Sequence, residues 1–311
     1  MKALRTDKSL IIIGGPTASG KTEFAIKLAK HFQTEIISAD SRQCYKELNI
    51  GVARPSDEEL NQVKHHFIAT ESVNKPISAG DFLRKSKLLL EDLFQKHDVV
   101  LAVGGSGLYN QALVEGFHSD SPDNAIRSEI QLLYRTKGIV ALQDELLKLD
   151  SQHYAKIDVD NPQRVMRALE RIKSSGMQHS ELRKERLQLP DYNVFEYAID
   201  WPREVLYQRI NERVDKMMKL GLHKEVEGLR KYQNEYVMNA VGYKELLSHL
   251  EGEISLDDAV SKIKQNTRRY AKRQLTWFRN KTSTCWLKPQ VHKDYMKIIE
   301  AEIADKLQKS I

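Results

Sequence analysis

The chain has 311 residues, 41% hydrophobic and 30% charged, with 49 lysines and arginines against 43 aspartates and glutamates and a formal charge of +6. That length exceeds a usual single domain and can bury a sizeable core, and the mild basic excess favours a polyanionic partner. The chain has only two cysteines, Cys44 and Cys285, far apart and without metal-ligand spacing, which argues against a disulfide framework and a structural zinc site. No run approaches the ~18 apolar residues of a membrane span, so a soluble, cytoplasmic protein without a membrane partner is expected, and nothing demands more than a monomer.

The first apolar run, Leu10 to Ile13, is short and β-branched and reads as a buried strand. A glycine-rich turn follows. Thr22 to Phe32 then carries Phe24, Ala25, Leu28 and Ala29 at helical spacing. A second strand, Glu35 to Ala39, ends at Asp40. Val99 to Val103 is apolar along its whole length, as a central parallel strand covered on both faces should be, and runs into Gly104-Gly105-Ser106-Gly107. These features predict an α/β parallel sheet with its loops gathered at the carboxyl ends of the strands. From about His118 to Pro190 the strand signal fades and charged helical patterns dominate. Val194 to Ile199 reads as a returning strand, helical periodicity continues to about Arg279, and a polar helical tail spans Lys293 to Lys309. The expected division is therefore an α/β core of residues 1–117 and 191–311, interrupted by a helical insertion of residues 118–190.

Gly15-Pro16-Thr17-Ala18-Ser19-Gly20-Lys21-Thr22 matches G-x-x-x-x-G-K-[ST] between a predicted strand and a predicted helix. Its backbone amides and the helix amino terminus attract phosphate oxygens, Lys21 adds a positive charge, and the Thr22 hydroxyl can ligate Mg²⁺. The motif implies a di- or triphosphate without saying which. A nucleoside triphosphatase usually places an acid at the end of an apolar strand to help hold the metal. Val99 to Val103 ends in glycines instead, and the available acid is Asp40. Asp40 either faces the phosphate ligand or caps its own turn.

Three basic clusters suit a nucleic-acid partner. Lys264, Arg268 and Lys272 recur at i+4 on one helix face, and that charge density suits a phosphate backbone. The interleaved Tyr270, Trp277 and Phe278 read instead as an aromatic core stripe. Asn161-Pro162 signals a helix start, after which Arg164, Arg167 and Arg171 share one face opposite Val165, Leu169 and Ile172. Arg209 and Arg213 stand one turn apart on a helix beginning near Arg203 and can clamp phosphate. His65-His66 lacks ligand-spaced partners, so packing or capping is expected of both.

Together GGPTASGKT (Gly14 to Thr22), SADSRQCYKELNIGVARP (Ser38 to Pro55), VGGSGLYNQALVEG (Val103 to Gly116), DNPQRVMRALE (Asp160 to Glu170), VGYKEL (Val241 to Leu246) and TRRYAKRQLTWFRN (Thr267 to Asn280) resemble the bacterial tRNA dimethylallyltransferase (tRNA isopentenyltransferase) family, over nearly the whole chain. The resemblance implies a P-loop kinase-like core with a mostly helical insertion that closes over tRNA. It also implies Mg²⁺-dependent transfer of a dimethylallyl group from dimethylallyl diphosphate to the exocyclic amine of the adenosine beside the anticodon. By the same resemblance Gly15 to Thr22, with Arg213 and less firmly Arg209, hold the diphosphate, and Asp40 is the general base. Asp40, Ser41, Arg42, Gln43, Ser106, Arg127 and the segment Gln163, Arg164, Val165, Met166 and Arg167 meet the tRNA anticodon stem-loop. Ser106 stands where the family more often has threonine, and Ser175 to Ser180 departs from its usual segment. Rival readings are a nucleotide kinase or ATPase, a prenyltransferase of free adenine nucleotides, and an RNA-binding module with a relic P-loop.

Overall fold

A computed structural model describes residues 8–116, 124–178, 181, 189, 191–281, 283–289 and 295–308. The expected boundaries at His118 and Pro190, the pair His179 and Ser180, and the tail ends Lys293 and Lys309 lie outside the described residues. The chain divides into two compact units, Met1–Val114 with Pro190–Ile311, and Glu115–Leu189.

In the first unit the chain runs β1 (Ser9–Gly14), α1 (Lys21–His31), β2 (Ile36–Ser38), α2 (Asp57–Gln62), β3 (His65–His66), α3 (Ala79–Lys96), β4 (Val99–Val103) and α4 (Gly107–Glu115). The second unit carries α5 (Asn124–Leu149), interrupted at Gly138, α6 (Ser151–Tyr154) and α7 (Pro162–Ser175). The first unit resumes with β5 (Asn193–Ile199), α8 (Arg203–Lys219), α9 (Leu222–Gly228), α10 (Tyr243–Leu250), α11 (Leu256–Arg279), β6 (Cys285–Leu287) and α12 (Tyr295–Gln308).

The six strands pair in the order β3-β2-β4-β1-β5-β6, all parallel. β1 is buried at every residue because it lies between β4 (Ile11 opposite Leu101) and β5 (Ile11 opposite Phe195), with helices on the sheet's faces. This is why Leu10 to Ile13 reads as a continuous apolar run and not as an alternation. Order reverses at β1, so the crevice at the carboxyl ends of β1 and β4 is the switch point where such sheets bind ligands. The main core gathers Ile11, Ile13, Phe24, Leu28, Leu101, Phe195 and Tyr197 with Ile299 and Ile303 of α12. The carboxyl-terminal helix is therefore not the polar tail its sequence suggests: two isoleucines enter the core and Tyr197 Oη donates to Glu302 Oε2 at 2.8 Å.

A second cluster joins the loop after β2 (Cys44, Tyr45, Leu48) to α8–α11 through Val214, Leu222, Val226, Leu246 and Ile263. Glu225 of α9 ties this loop down. Its carboxylate accepts from the backbone N–H groups of Asn49 (3.3 Å), Ile50 (2.7 Å) and Gly51 (3.1 Å) and from Tyr243 Oη (2.6 Å). His65 and His66 pack as an edge strand, with His65 Nδ1 2.8 Å from Val63 O and His66 Nε2 2.6 Å from Glu35 Oε2.

In the second unit, Val165, Met166, Leu169 and Ile172 of α7 pack on Ile130, Leu142 and Leu146 of α5. Asn161 Oδ1 accepts from the Arg164 N–H at 3.3 Å with Pro162 in the first turn, the start that Asn-Pro predicts.

Gly104 shows how tightly the strand ends meet. The Ala39 N–H donates to Val103 O at 2.7 Å, and a β-carbon on Gly104 would sit inside the van der Waals envelope of the Ala39 carbonyl. That neighbour is backbone and cannot turn aside. Gly104→Ala is expected to lower stability by about 1–3 kcal/mol, as overpacking does, and to displace the adjoining Asp40. Denaturant unfolding with an unchanged midpoint would contradict this packing.

Candidate active site

The carboxyl ends of β1, β2 and β4 open on a cavity of about 370 Å³. Thr17, Lys21 and Thr22 line it from the phosphate loop, Asp40 to Gln43 from the β2 end, Arg213 from α8, and Ile263, Thr267, Tyr270 and Gln274 from α11.

The phosphate loop needs unusual backbone: Gly15, Ala18 and Gly20 have φ of 122°, 64° and 93°. Glycine adopts such angles readily, whereas Ala18 is held there by its surroundings. Arg209 Nε donates to the Ala18 carbonyl at 2.8 Å, and Trp201 Nε1 donates to the Ser19 carbonyl at 2.9 Å. The Arg209 guanidinium lies 5.0 Å from the Trp201 ring centroid. Arg209 thus braces the loop, while Arg213 one turn later faces the cavity. The sequence put both arginines on one helix face and could not separate these placements.

A second brace comes from α11. Gln274, buried, accepts from the Thr17 N–H at 2.9 Å and donates through Nε2 to the Gly105 carbonyl at 2.9 Å. Trp277 and Phe278 occupy the space that side chains at Gly107 and Gly14 would fill. Gly14, Gly105 and Gly107 are thus docking points for α11. Gln274, between Arg273 and Leu275, carried no sequence signal beyond its place in the Thr267 to Asn280 motif.

Lys21 Nζ donates to the Pro16 carbonyl at 2.7 Å. Burial, with the neighbouring Arg213 charge, pushes its ammonium down to about 7, against a smaller upward pull from Asp40. Burial also lowers Arg213, opposed by Asp40. Two cations and one carboxylate therefore converge in a poorly solvated crevice. A polyanion would relieve the repulsion between the cations.

Asp40 takes both of the placements its sequence left open. Its Oδ1 accepts from the N–H groups of Arg42 (2.9 Å) and Gln43 (3.3 Å), an Asx turn, and its side chain also lines the cavity. Ser106 Oγ accepts from the Ser41 N–H at 3.0 Å and donates to Ser41 Oγ at 3.1 Å, joining the β4 and β2 ends. Gln43 Nε2 donates to the carbonyls of Val52 (3.3 Å) and Ala53 (2.9 Å), so its amide is tied to the loop wall.

The aromatic stripe of α11 divides. Trp277 and Phe278 pack inward, but Tyr270 departs from the core placement expected of it and lines the cavity beside Ser106, Asp40 and Arg42; burial raises its hydroxyl to about 12. Ile263, Thr267, Tyr270 and Gln274, at i, i+4, i+7 and i+11, form the cavity-facing stripe. The expected basic track lies beside it and partly faces α8. Lys264 Nζ meets Asp215 Oδ1 at 2.6 Å, Arg268 Nη1 donates to Asn211 Oδ1 at 2.7 Å, and Lys272 is exposed.

In the second unit Gln163, Arg164 and Arg167 are exposed, whereas the Val165 and Met166 side chains are buried in the core. Glu170, buried, joins Arg167 Nη1 at 3.1 Å to Arg127 Nε at 3.7 Å.

A phosphate loop at the switch point of a parallel sheet, with the charges above it turned toward one crevice, defines a P-loop protein that handles a phosphate ester. A family model described as IPP transferase matches residues 43–281. The chain is 42% identical over 286 residues to the tRNA dimethylallyltransferase of Flavobacterium johnsoniae, covering 90% of this chain and 93% of that one. It is 43% identical over 297 residues to the tRNA dimethylallyltransferase of Christiangramia forsetii, covering 94% and 98%. The crystal structure of the full-length tRNA isopentenylpyrophosphate transferase from Bacillus halodurans superposes with a TM-score of 0.72 at 35% identity, covering 97% and 99%. The chain belongs to the IPP transferase family. A eukaryotic dimethylallyltransferase acting on tRNA, 24% identical, shares the fold with a TM-score of 0.82 over 97% of this chain and 80% of that one. Among the described residues no helix is long and apolar enough to cross a membrane.

Proposed function

We propose that this chain transfers a dimethylallyl group from dimethylallyl diphosphate to the exocyclic amine of the adenosine beside the anticodon of tRNA. Family membership and relatives of that name support dimethylallyl transfer to tRNA. The observation carrying the finer reading is that Asp40 lines the same cavity as Lys21, Thr22 and Arg213, so an acceptor for the amine proton faces a diphosphate seat.

In this reading the phosphate-loop amides, Lys21 and Arg213 hold the diphosphate. The allylic carbon–oxygen bond breaks, and the departing diphosphate keeps the electron pair where those groups already point, so little reorganisation is needed. The adenine amine forms the new nitrogen–carbon bond and passes its proton to Asp40. The adenosine has to leave its stack to reach the cavity. Ser41, Arg42 and Gln43 form the wall it would meet, with Ser106 bonded to Ser41, and the exposed Arg127, Gln163, Arg164, Arg167 and Lys272 are suited to the RNA backbone.

The donor set also fits Mg²⁺. Among the described residues no cluster of three His, Cys, Asp or Glu could form a protein cage, but the Thr22 hydroxyl is a hard oxygen donor beside the diphosphate seat, leaving Asp40 for the proton. Mg²⁺ takes much of its coordination from substrate phosphates and water, the phosphate-loop hydroxyl adding one protein oxygen, and when bound it would neutralise charge on the leaving diphosphate.

The test mixes the protein, Mg²⁺, radiolabelled dimethylallyl diphosphate and unmodified tRNA, with ATP hydrolysis followed in parallel. Label entering RNA without ATP turnover is expected. Steady ATP turnover with unlabelled RNA would replace this reading with a nucleotide kinase or ATPase.

A further inference from the structure

Tyr236 is the most exposed aromatic side chain among the described residues, at 67%. An exposed tyrosine on a mobile surface would mean little. Tyr236 instead opens a 3₁₀ turn, Tyr236–Asn239, whose next two side chains, Val237 and Met238, are buried in the second core cluster. The Met238 N–H closes that turn on the Glu235 carbonyl at 3.0 Å. The ring is therefore presented to solvent from an anchored base.

Its place relative to the cavity is specific. Tyr236 does not line the cavity, but Asn239 at the other end of its turn does, and so does Arg42. The Arg42 guanidinium lies 5.0 Å from the Tyr236 ring centroid, while the Arg42 N–H is held by Asp40 Oδ1. An aromatic ring and a guanidinium thus stand at the rim, the guanidinium on Arg42, two residues along the chain from the proposed base. A nucleobase drawn into the cavity brings its neighbour in the RNA strand to that rim, one nucleotide away. Exposed rings beside arginines are what unpaired bases stack on, and tyrosine presents such a face at small entropic cost.

We propose that Tyr236, with Arg42 beside it, is a stacking seat for the nucleobase that flanks the reacting adenosine. The inference rests on the RNA-alkylating reading above. The seat holds the flanking nucleotide by its π-face, so it tolerates different bases and adds affinity for RNA without touching the diphosphate.

The test measures binding and steady-state transfer for an unmodified anticodon stem-loop with the full chain, Tyr236→Ala and Tyr236→Trp. Each protein is also tried on stem-loops in which one nucleotide flanking the target adenosine is abasic. Loss of one base–aromatic stack is expected to weaken RNA binding by about 5- to 150-fold in Tyr236→Ala. The loss should appear in KM for RNA, with pyrophosphate affinity unchanged and binding restored in Tyr236→Trp. One abasic position should weaken the wild type and leave Tyr236→Ala unaffected. Equal RNA affinity of wild type and Tyr236→Ala, or abasic penalties that persist undiminished in Tyr236→Ala, would overturn the stacking seat while leaving transfer intact. A wild type that transfers no label to RNA would overturn the seat together with the function it rests on.

Discussion

Asp40→Asn is expected to fold and bind tRNA like the wild type, to change diphosphate affinity only modestly, and to lose about 10²–10⁴-fold in turnover, the usual contribution of a positioned base. Asparagine is the informative substitution because Asp40 has two duties. Its Oδ1 accepts from the N–H groups of Arg42 and Gln43, shaping the turn, and an asparagine oxygen can accept the same two bonds. What asparagine cannot do is take the proton from an attacking amine. Asp40→Ala removes the turn and the base together, so a fall in its activity would be ambiguous alone. With single-turnover rates for both variants, full rates in Asp40→Asn and a defect in Asp40→Ala would make Asp40 a turn residue and no more. The carboxylate also offsets repulsion between Lys21 and Arg213, so a modest change in pyrophosphate affinity is compatible with the base role.

Lys21→Met should give the second large effect, with three linked readings. Turnover should fall by about 10²–10³-fold, the cost of losing one preorganised group at a developing negative charge. The other two readings follow from the titration of the amine. In the ligand-free protein burial and Arg213 lower it to about 7 from 10.5. A folded-state value below the unfolded one means that charged Lys21 opposes folding. That cost is carried in full below pH 7 and fades as pH rises toward 10.5. Ligand-free Lys21→Met should therefore be more stable than wild type at pH 6, with the difference shrinking between pH 7 and 10. A bound diphosphate favours the charged ammonium, so binding above pH 7 should take up a proton at Lys21 and weaken as pH rises. Calorimetry of pyrophosphate binding in buffers of different ionisation enthalpy measures the uptake, with Lys21→Met separating it from protons taken up by the ligand. Identical uptake in both proteins would show that Lys21 already carries its charge before the ligand arrives.

Much of this was legible in the sequence, for local reasons. A phosphate loop is a contiguous string whose glycines are fixed by its own backbone, so Gly15 to Thr22 could be placed between a strand and a helix without tertiary knowledge. β1 and β4 were readable because burial on both faces leaves an unbroken apolar run. β3 and β6 were not, since two residues at His65–His66 and three at Cys285–Leu287 are too short to show a period. Their pairing is decided by neighbouring strands.

The cavity wall was harder. Helical spacing puts Arg209 and Arg213 on the same face, yet the phosphate loop lies against one while the other faces the crevice. Tyr270, Trp277 and Phe278 share an aromatic character, and only the glycines at positions 14 and 107 explain why the last two are inside. Gln274 holds two turns that lie far from it in sequence, a relation no helix pattern can announce. In the second unit the amphipathic reading of α7 agrees with its burial: Val165 and Leu169 lie inside while Arg164 and Arg167 face outward. Within the segment Gln163 to Arg167 the helical period leaves Gln163, Arg164 and Arg167 outside and buries the Val165 and Met166 side chains.

In the proposed reaction the cavity sets a diphosphate on Lys21 and Arg213 opposite an adenine amine beside Asp40. The most direct test digests tRNA after reaction with dimethylallyl diphosphate and locates the added group by nucleoside mass spectrometry and nuclease mapping. One dimethylallyl group is expected on the exocyclic amine of the adenosine beside the anticodon, greatly reduced in Asp40→Asn. A group attached to another atom or another nucleotide, or equal yields from wild type and Asp40→Asn, would contradict it.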